Sequence, residues 1–131
     1  MTPTNSPVPT LPEHRDHWQA TLQWQPTPEQ QQAFQQIFEG ILSGNQQMNL
    51  TRITGPSEFW EKHVWDALSG LAPWLPGPDR PAWAAAHALG QVLDIGTGAG
   101  IPGLPAAIAL PTGHVTLLDA TRKKVRFLQE L

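Results

Sequence analysis

At 131 residues, with 40% hydrophobic and 15% charged side chains, the chain has material for about one domain with a packed core. The absence of cysteine excludes a disulfide framework and any thiolate metal site, and no metal is expected. The net charge of −3 is unevenly spread: residues 1–120 carry four Lys/Arg against ten Asp/Glu, a balance of −6, whereas residues 121–131 hold Arg122, Lys123, Lys124 and Arg126 against Glu130, a balance of +3. The start lacks the basic and apolar regions of a signal peptide. No apolar run approaches the ~20 residues that span a bilayer, so a cytoplasmic protein is the expectation.

Residues 1–11, proline-rich and without apolar periodicity, are expected to form a disordered tail. A short helix is predicted from Pro12 to Trp24, with Trp18 and Leu22 four apart and Pro26 as its terminator. In "TPEQQQAFQQIFEGILSGN", Thr27 can cap, Pro28 suits the first helical position and Gln30 completes a capping-box pattern. Phe34, Ile37, Phe38, Ile41 and Leu42 then follow the spacing of one apolar helix face, and Gly44-Asn45 supplies the stop. "MNLTRIT" reads as an ordered loop. A second amphipathic helix is predicted from about Pro56, with Trp60, Val64, Ala67, Leu68 and Leu71 as its core stripe. Three residues separate His63 from Asp66, so the two share a neighbouring face. Residues 72–90, rich in Pro, Ala and Trp, read as a linker that closes a helical extension over 12–90.

After Gly90 the pattern changes. "QVLDI" predicts a short buried strand, Gly96–Gly103 a loop, "LPAAIAL" a small-residue helix and Pro111–Gly113 a turn. "HVTLLD" predicts a second strand, and "TRKKVRFLQEL" a further helix with Val125, Leu128 and Leu131 on one face. Strand, helix, strand, helix is the order of a parallel α/β sheet, so the fold class expected is α/β, Rossmann-like, over residues 91–131.

Ligands of open α/β sheets bind at the carboxyl ends of the strands, where Asp94 and Asp119 are expected to stand side by side. The glycines after Asp94 allow a tight turn and close approach of a ligand to the backbone. Gly98-Ala99-Gly100-Ile101-Pro102-Gly103 satisfies G-x-G-x-x-G, alone a weak sign of a nicotinamide or flavin cofactor. The wider pattern sets Asp94 before Gly96, Gly98 and Gly100. A pyrophosphate gains nothing from that acid, whereas a cationic ligand does. S-adenosylmethionine is such a ligand, with Asp94 favouring its cationic end, the helix start its carboxylate, and Asp119 its ribose hydroxyls. A nicotinamide-dependent oxidoreductase and a non-enzymatic RNA-docking module remain as alternatives.

"VLDIGTGAGIPG" resembles the first motif of class I methyltransferases. With "PGLPAAIALP", "VTLLDATRKKVRFLQEL", "NLTRIT" and "KHVWDAL", the chain resembles the 16S ribosomal RNA guanine-N7 methyltransferase family, also called glucose-inhibited division protein B, over about residues 27–131. The resemblance implies a seven-stranded class I sheet preceded by a helical extension, and methyl transfer from S-adenosylmethionine to N7 of a guanine in 16S ribosomal RNA. It implies that Gly96 and Ile101 contact the cofactor and that Asp119, Ala120 and Thr121 cradle its ribose and adenine. It also places Asn49, His63 and Asp66 at the border of the site, and gives Arg122, Lys123, Lys124 and Arg126 the phosphates of ribosomal RNA or the small subunit as a partner. The family usually has Asp-Ser where this chain has Asp119-Ala120, and a serine after the aspartate where this chain has Ala67. Both changes remove a hydroxyl and keep the acid. Only two strands of the implied seven are visible, so an amino-terminal part with an incomplete cofactor domain is expected, itself weakly active or inactive.

Overall fold

The computed structural model describes residues 8–86, 90–110 and 113–131. Most of the expected tail, and Pro111 and Thr112 of the expected turn, lie outside these residues.

Helix α1 (Arg15–Leu22) is shorter than its pattern suggested. It ends at Gln23, which takes a left-handed conformation (φ 50°) and donates its N–H to the Gln19 carbonyl, so the chain turns before Pro26. Helix α2 (Pro28–Gly44) forms as its sequence predicts. Gln30 N donates to Thr27 Oγ1 (3.1 Å) and Thr27 N to Gln30 Oε1 (2.9 Å), which satisfies two orphan amides of the first turn. Phe34, Ile37, Phe38 and Ile41 are buried along one face.

Helix α3 runs over residues 56–69, but its middle, Trp60–Trp65, is π-helical between α-helical turns at Pro56–Phe59 and Asp66–Ser69. The Asp66 amide accordingly reaches back five residues to the Glu61 carbonyl. Trp60, Val64, Ala67 and Leu68 are buried as expected, and Phe59 joins them. Trp18 stands edge-on to Trp60 (5.2 Å between centroids) and Phe38 lies 4.8 Å from Phe59, so aromatic rings lock the first three helices together.

The expected linker is more structured than its composition implied. Ala72–Trp74 forms a 3-10 turn, Leu75 and Ala84 are buried, and helix α4 spans Ala82–Ala86. Arg80 Nη2 donates to the carbonyls of Leu22 (2.6 Å) and Gln23 (3.3 Å), tying this segment to the open end of α1. Within the extension, Trp65 Nε1 donates to Thr21 Oγ1 and Trp74 packs on Trp83.

Strands β1 (Gln91–Ile95) and β2 (His114–Leu118) pair in parallel, with Leu93 opposite Thr116 and Ile95 opposite Leu118. Helix α5 (Gly103–Ala109) packs on both strands, on α2 and on the last turn of α3. Helix α6 (Arg122–Glu130) follows β2. The expectation of a buried β1 is corrected. Burial alternates along both strands because α5 covers one face only, and Leu93, Ile95 and Leu118 stand 56%, 72% and 51% exposed on the other. One hydrophobic cluster nevertheless runs from Leu11 and Trp18 through α2 and α3 to Ala109 and Leu110.

Candidate cofactor site

The glycine loop leaves β1 at its carboxyl end and is fastened there by the neighbouring strand. Gly96 N and Thr97 N both donate to the Leu118 carbonyl (2.8 and 3.0 Å). Asp119, one residue beyond β2, accepts from Gly98 N at Oδ2 (2.9 Å) and from Thr121 N at Oδ1 (2.8 Å). The Thr121 and Gly98 amides, in that order, hold the Asp119 carboxyl below its ordinary value, because they stabilise the charged form. Asp94, paired in register with Leu117, and Asp119 thus both lie toward the carboxyl ends of the parallel strands.

Their tasks differ. Asp94 Oδ2 accepts from Thr97 Oγ1 (2.6 Å) and from Gly103 N (2.9 Å), the first amide of α5. Asp94 therefore braces the loop against the helix that follows it, and takes one of the N–H groups of the helix start, which the sequence reading offers to a ligand carboxylate. Thr97 was missed by that reading. It is the one buried polar side chain of the described residues, and its signal was a small hydroxyl three positions after an acid at a strand end.

The glycines divide in the same way. Gly96 (φ +70°) and Gly98 (φ +58°) adopt left-handed conformations, and a Cβ on either would meet nothing within 4 Å. Gly100 (φ +90°) has no such space: a Cβ there would strike Leu104 and lie 2.9 Å from Leu128 Cδ2 of α6. A Cβ on Gly103 would strike Leu117 and lie 2.9 Å from Asp94 Oδ2. Open backbone at Gly96 and Gly98 fits a flat ligand lying on the loop. Close packing at Gly100 and Gly103 fixes the loop in place. Ile101 is half-buried, while Ala120 and Thr121 are exposed beyond β2.

The second group of expected residues lies on the extension. Asn49 and Asp66 are exposed. His63 is half-buried in the π-helical stretch, where Nε2 lies 2.9 Å from Thr51 Oγ1 and the ring packs edge-on to Phe59. Its partner is thus Thr51, not the Asp66 that sequence spacing offered. Burial lowers the His63 pKa from its ordinary value, against the opposing pull of the Lys62 backbone, Asp66 and Glu58. Asn45, which the sequence reading took only as a helix stop, organises this region. Its Oδ1 accepts from Leu50 N (2.9 Å) and Thr51 N (3.1 Å), and its Nδ2 donates to the Thr51 carbonyl (3.0 Å). Thr51 Oγ1 then accepts from Ile53 N (3.1 Å) and meets His63. Among the basic residues, Arg122, Lys123 and Arg126 are exposed and Lys124 is half-buried on α6. No group of acidic, histidine or cysteine side chains able to hold a metal occurs among the described residues.

A parallel strand–loop–helix–strand unit with open glycines and an acid beyond the second strand is an arrangement found in α/β folds that bind nucleotide cofactors. Comparison with known proteins specifies which kind. Residues 30–131 match the GidB family, rRNA small subunit methyltransferase G, and the chain belongs to that family. It is 56% identical over 114 residues to the ribosomal RNA small subunit methyltransferase G of Thermosynechococcus vestitus, covering 87% of this chain and 49% of the relative. It is 53% identical over 121 residues to the protein of that name from Nostoc punctiforme, covering 92% of this chain and 47% of the relative. The chain spans about half the length of the curated relatives it matches. Membership of a methyltransferase family sets aside the nicotinamide alternative.

Proposed function

We propose that the glycine loop binds S-adenosylmethionine and that the chain serves the methylation of N7 of a guanine in 16S ribosomal RNA. The observation that carries the reading is the pair Gly96 and Gly98, whose left-handed backbone faces open space at the carboxyl end of the parallel strands. When bound, S-adenosylmethionine supplies an electrophilic methyl on a sulfonium. Asp119, kept ionised by the Gly98 and Thr121 amides, has lone pairs left to accept ribose hydroxyls. Asp94 and Thr97 hold the loop in shape before the ligand arrives, which lowers the ordering cost of binding.

The proposed acceptor suits a site without a general base. N7 of guanine has an available lone pair and no proton at neutral pH, so positioning the base against the methyl carbon can supply much of the catalysis. Calorimetric titration of S-adenosylmethionine into the chain tests the cofactor reading, with saturable one-to-one binding expected and NADH as the negative control. Absence of S-adenosylmethionine binding to a chain that remains folded by circular dichroism would overturn it. Transfer of labelled methyl to small-subunit ribosomal RNA, located by N7-specific strand cleavage, tests the acceptor.

A further inference from the structure

Helix α6 has two working faces. Leu128 reaches the glycine loop at Gly100. The adjacent face meets α2 at Gly40 and Gly44, one turn apart, where a Cβ would strike Leu131 or lie 2.7 Å from Phe127 Cε2. The close approach leaves a groove of about 410 Å³ between α2 and α6. Lys123 and Arg126 line it from α6, Ser43 from α2 and Gln47 from the turn after it, with Met48 and Phe127 as its apolar part. Glu130 is the one acid among the lining residues. The ion pairs among the described residues, Arg15–Glu13 and Lys62–Glu58, use neither cation of the groove.

We propose that this groove holds one nucleotide of single-stranded RNA, its phosphate between Lys123 and Arg126 and its base against Phe127 and Met48. The inference rests on the rRNA reading above and gives it a location on the seam between the helical extension and the α/β unit. Three observations favour RNA over an acidic peptide. Two cations sit three residues apart on one helix beside an aromatic ring, which matches the alternation of phosphate and base. Ser43 and Gln47 offer hydrogen bonds that discriminate little between bases. The remainder of the chain is acidic, so anion binding is focused on α6. Because the adjacent face of α6 touches the glycine loop at Gly100, RNA in the groove lies beside the helix that contacts the proposed cofactor loop.

The test is the salt dependence of binding of a fluorescein-labelled oligouridylate to the whole chain. Each phosphate neutralised on a single strand contributes a slope of about −0.7 in log K against log salt, so the pair contributes about −1.4, or about sevenfold in affinity between about 50 and 200 mM salt. The double variant Lys123→Gln/Arg126→Gln is expected to lose that part of the slope. Lys62→Gln, which removes a charge from α3, is expected to bind as the parent does. S-adenosylmethionine binding by the double variant should persist, since neither residue touches the loop, and this separates failure of the groove from failure of the cofactor reading. Should the double variant misfold, Ser43→Glu reads the same groove from the α2 wall, with weaker RNA binding expected. The proposal is overturned if the parent does not bind the RNA at about 50 mM salt, if the folded double variant or Ser43→Glu keeps the parental slope and affinity, or if polyglutamate competes as well as unlabelled RNA.

Discussion

Gly98 and Gly100 share one loop and the same handedness of backbone, yet the structure asks different things of them. An alanine at either must take a left-handed conformation, which costs about 1–2 kcal/mol. At Gly98 the added methyl enters open space, so stability should fall by about that amount while S-adenosylmethionine affinity falls further. At Gly100 it also strikes Leu104 and crowds Leu128, and overpacking adds about 1–3 kcal/mol. Urea unfolding of Gly98→Ala and Gly100→Ala should rank them in that order, and a larger loss for Gly98→Ala would contradict the division of roles. His63 carries a pH signature. Its folded pKa lies below the unfolded 6.5 because burial disfavours the cation, so the unfolded chain binds more protons just below that value. The stability it contributes is complete above about pH 6.5 and is lost as pH falls through the folded value. Denaturation midpoints compared across this window should fall with pH in the parent and fall less in His63→Gln. Asp119 has the same sign, with its effect felt below its ordinary 3.8.

Helices α2 and α3 are joined by a loop that hangs on one side chain. Asn45 supplies both an acceptor and a donor to the backbone of Leu50 and Thr51 through the two ends of its amide. Asn45→Ala leaves two partly buried amides without their acceptor and should cost about 2 kcal/mol. Faster amide exchange at Leu50 and Thr51, with α2 protection retained, would show that the damage is confined to the loop. Asn45→Asp keeps the acceptor and loses the donor, so it should recover part of the loss. The cap at the other end of α2 is a simpler case. Thr27→Ala should cost about 1 kcal/mol, because Gln30 N loses its acceptor.

At the scale of the whole molecule, the aromatic core of the extension continues into α5, while the second face of the two-stranded sheet carries exposed apolar side chains. Leu93, Ile95 and Leu118 form an apolar patch on that face. Patches of this kind mark interaction sites or promote association. The chain should therefore bind a hydrophobic dye in its folded state and self-associate as its concentration rises. Replacing all three by threonine keeps β-propensity and removes apolar area, so dye binding and association should drop, with each exposed substitution changing stability by no more than about 0.5 kcal/mol. Sedimentation and dye fluorescence together check this, and undiminished association in the triple variant would show that another surface is responsible.

The sequence by itself determined the α2 helix with its capping box, both strands and their parallel order, the glycine loop, and the acids at the strand ends. Each of these is written in local grammar: a period, a cap or a turn residue. The motifs after Gly90, together with "NLTRIT" and "KHVWDAL" upstream, were specific enough to name the family that residues 30–131 match. Only the tertiary structure decided how those residues are used. Whether Asp94 faces a ligand or braces α5 depends on where the Gly103 amide falls after the turn. Which glycines are open depends on Leu104 and Leu128, and the latter lies on a helix beyond the next strand. The choice of Thr51 over Asp66 as partner of His63 and the structured segment behind α1 follow from contacts distant in sequence. Residue spacing limits which faces residues share, but a hydrogen-bond partner is selected by packing, and packing is a property of the folded chain.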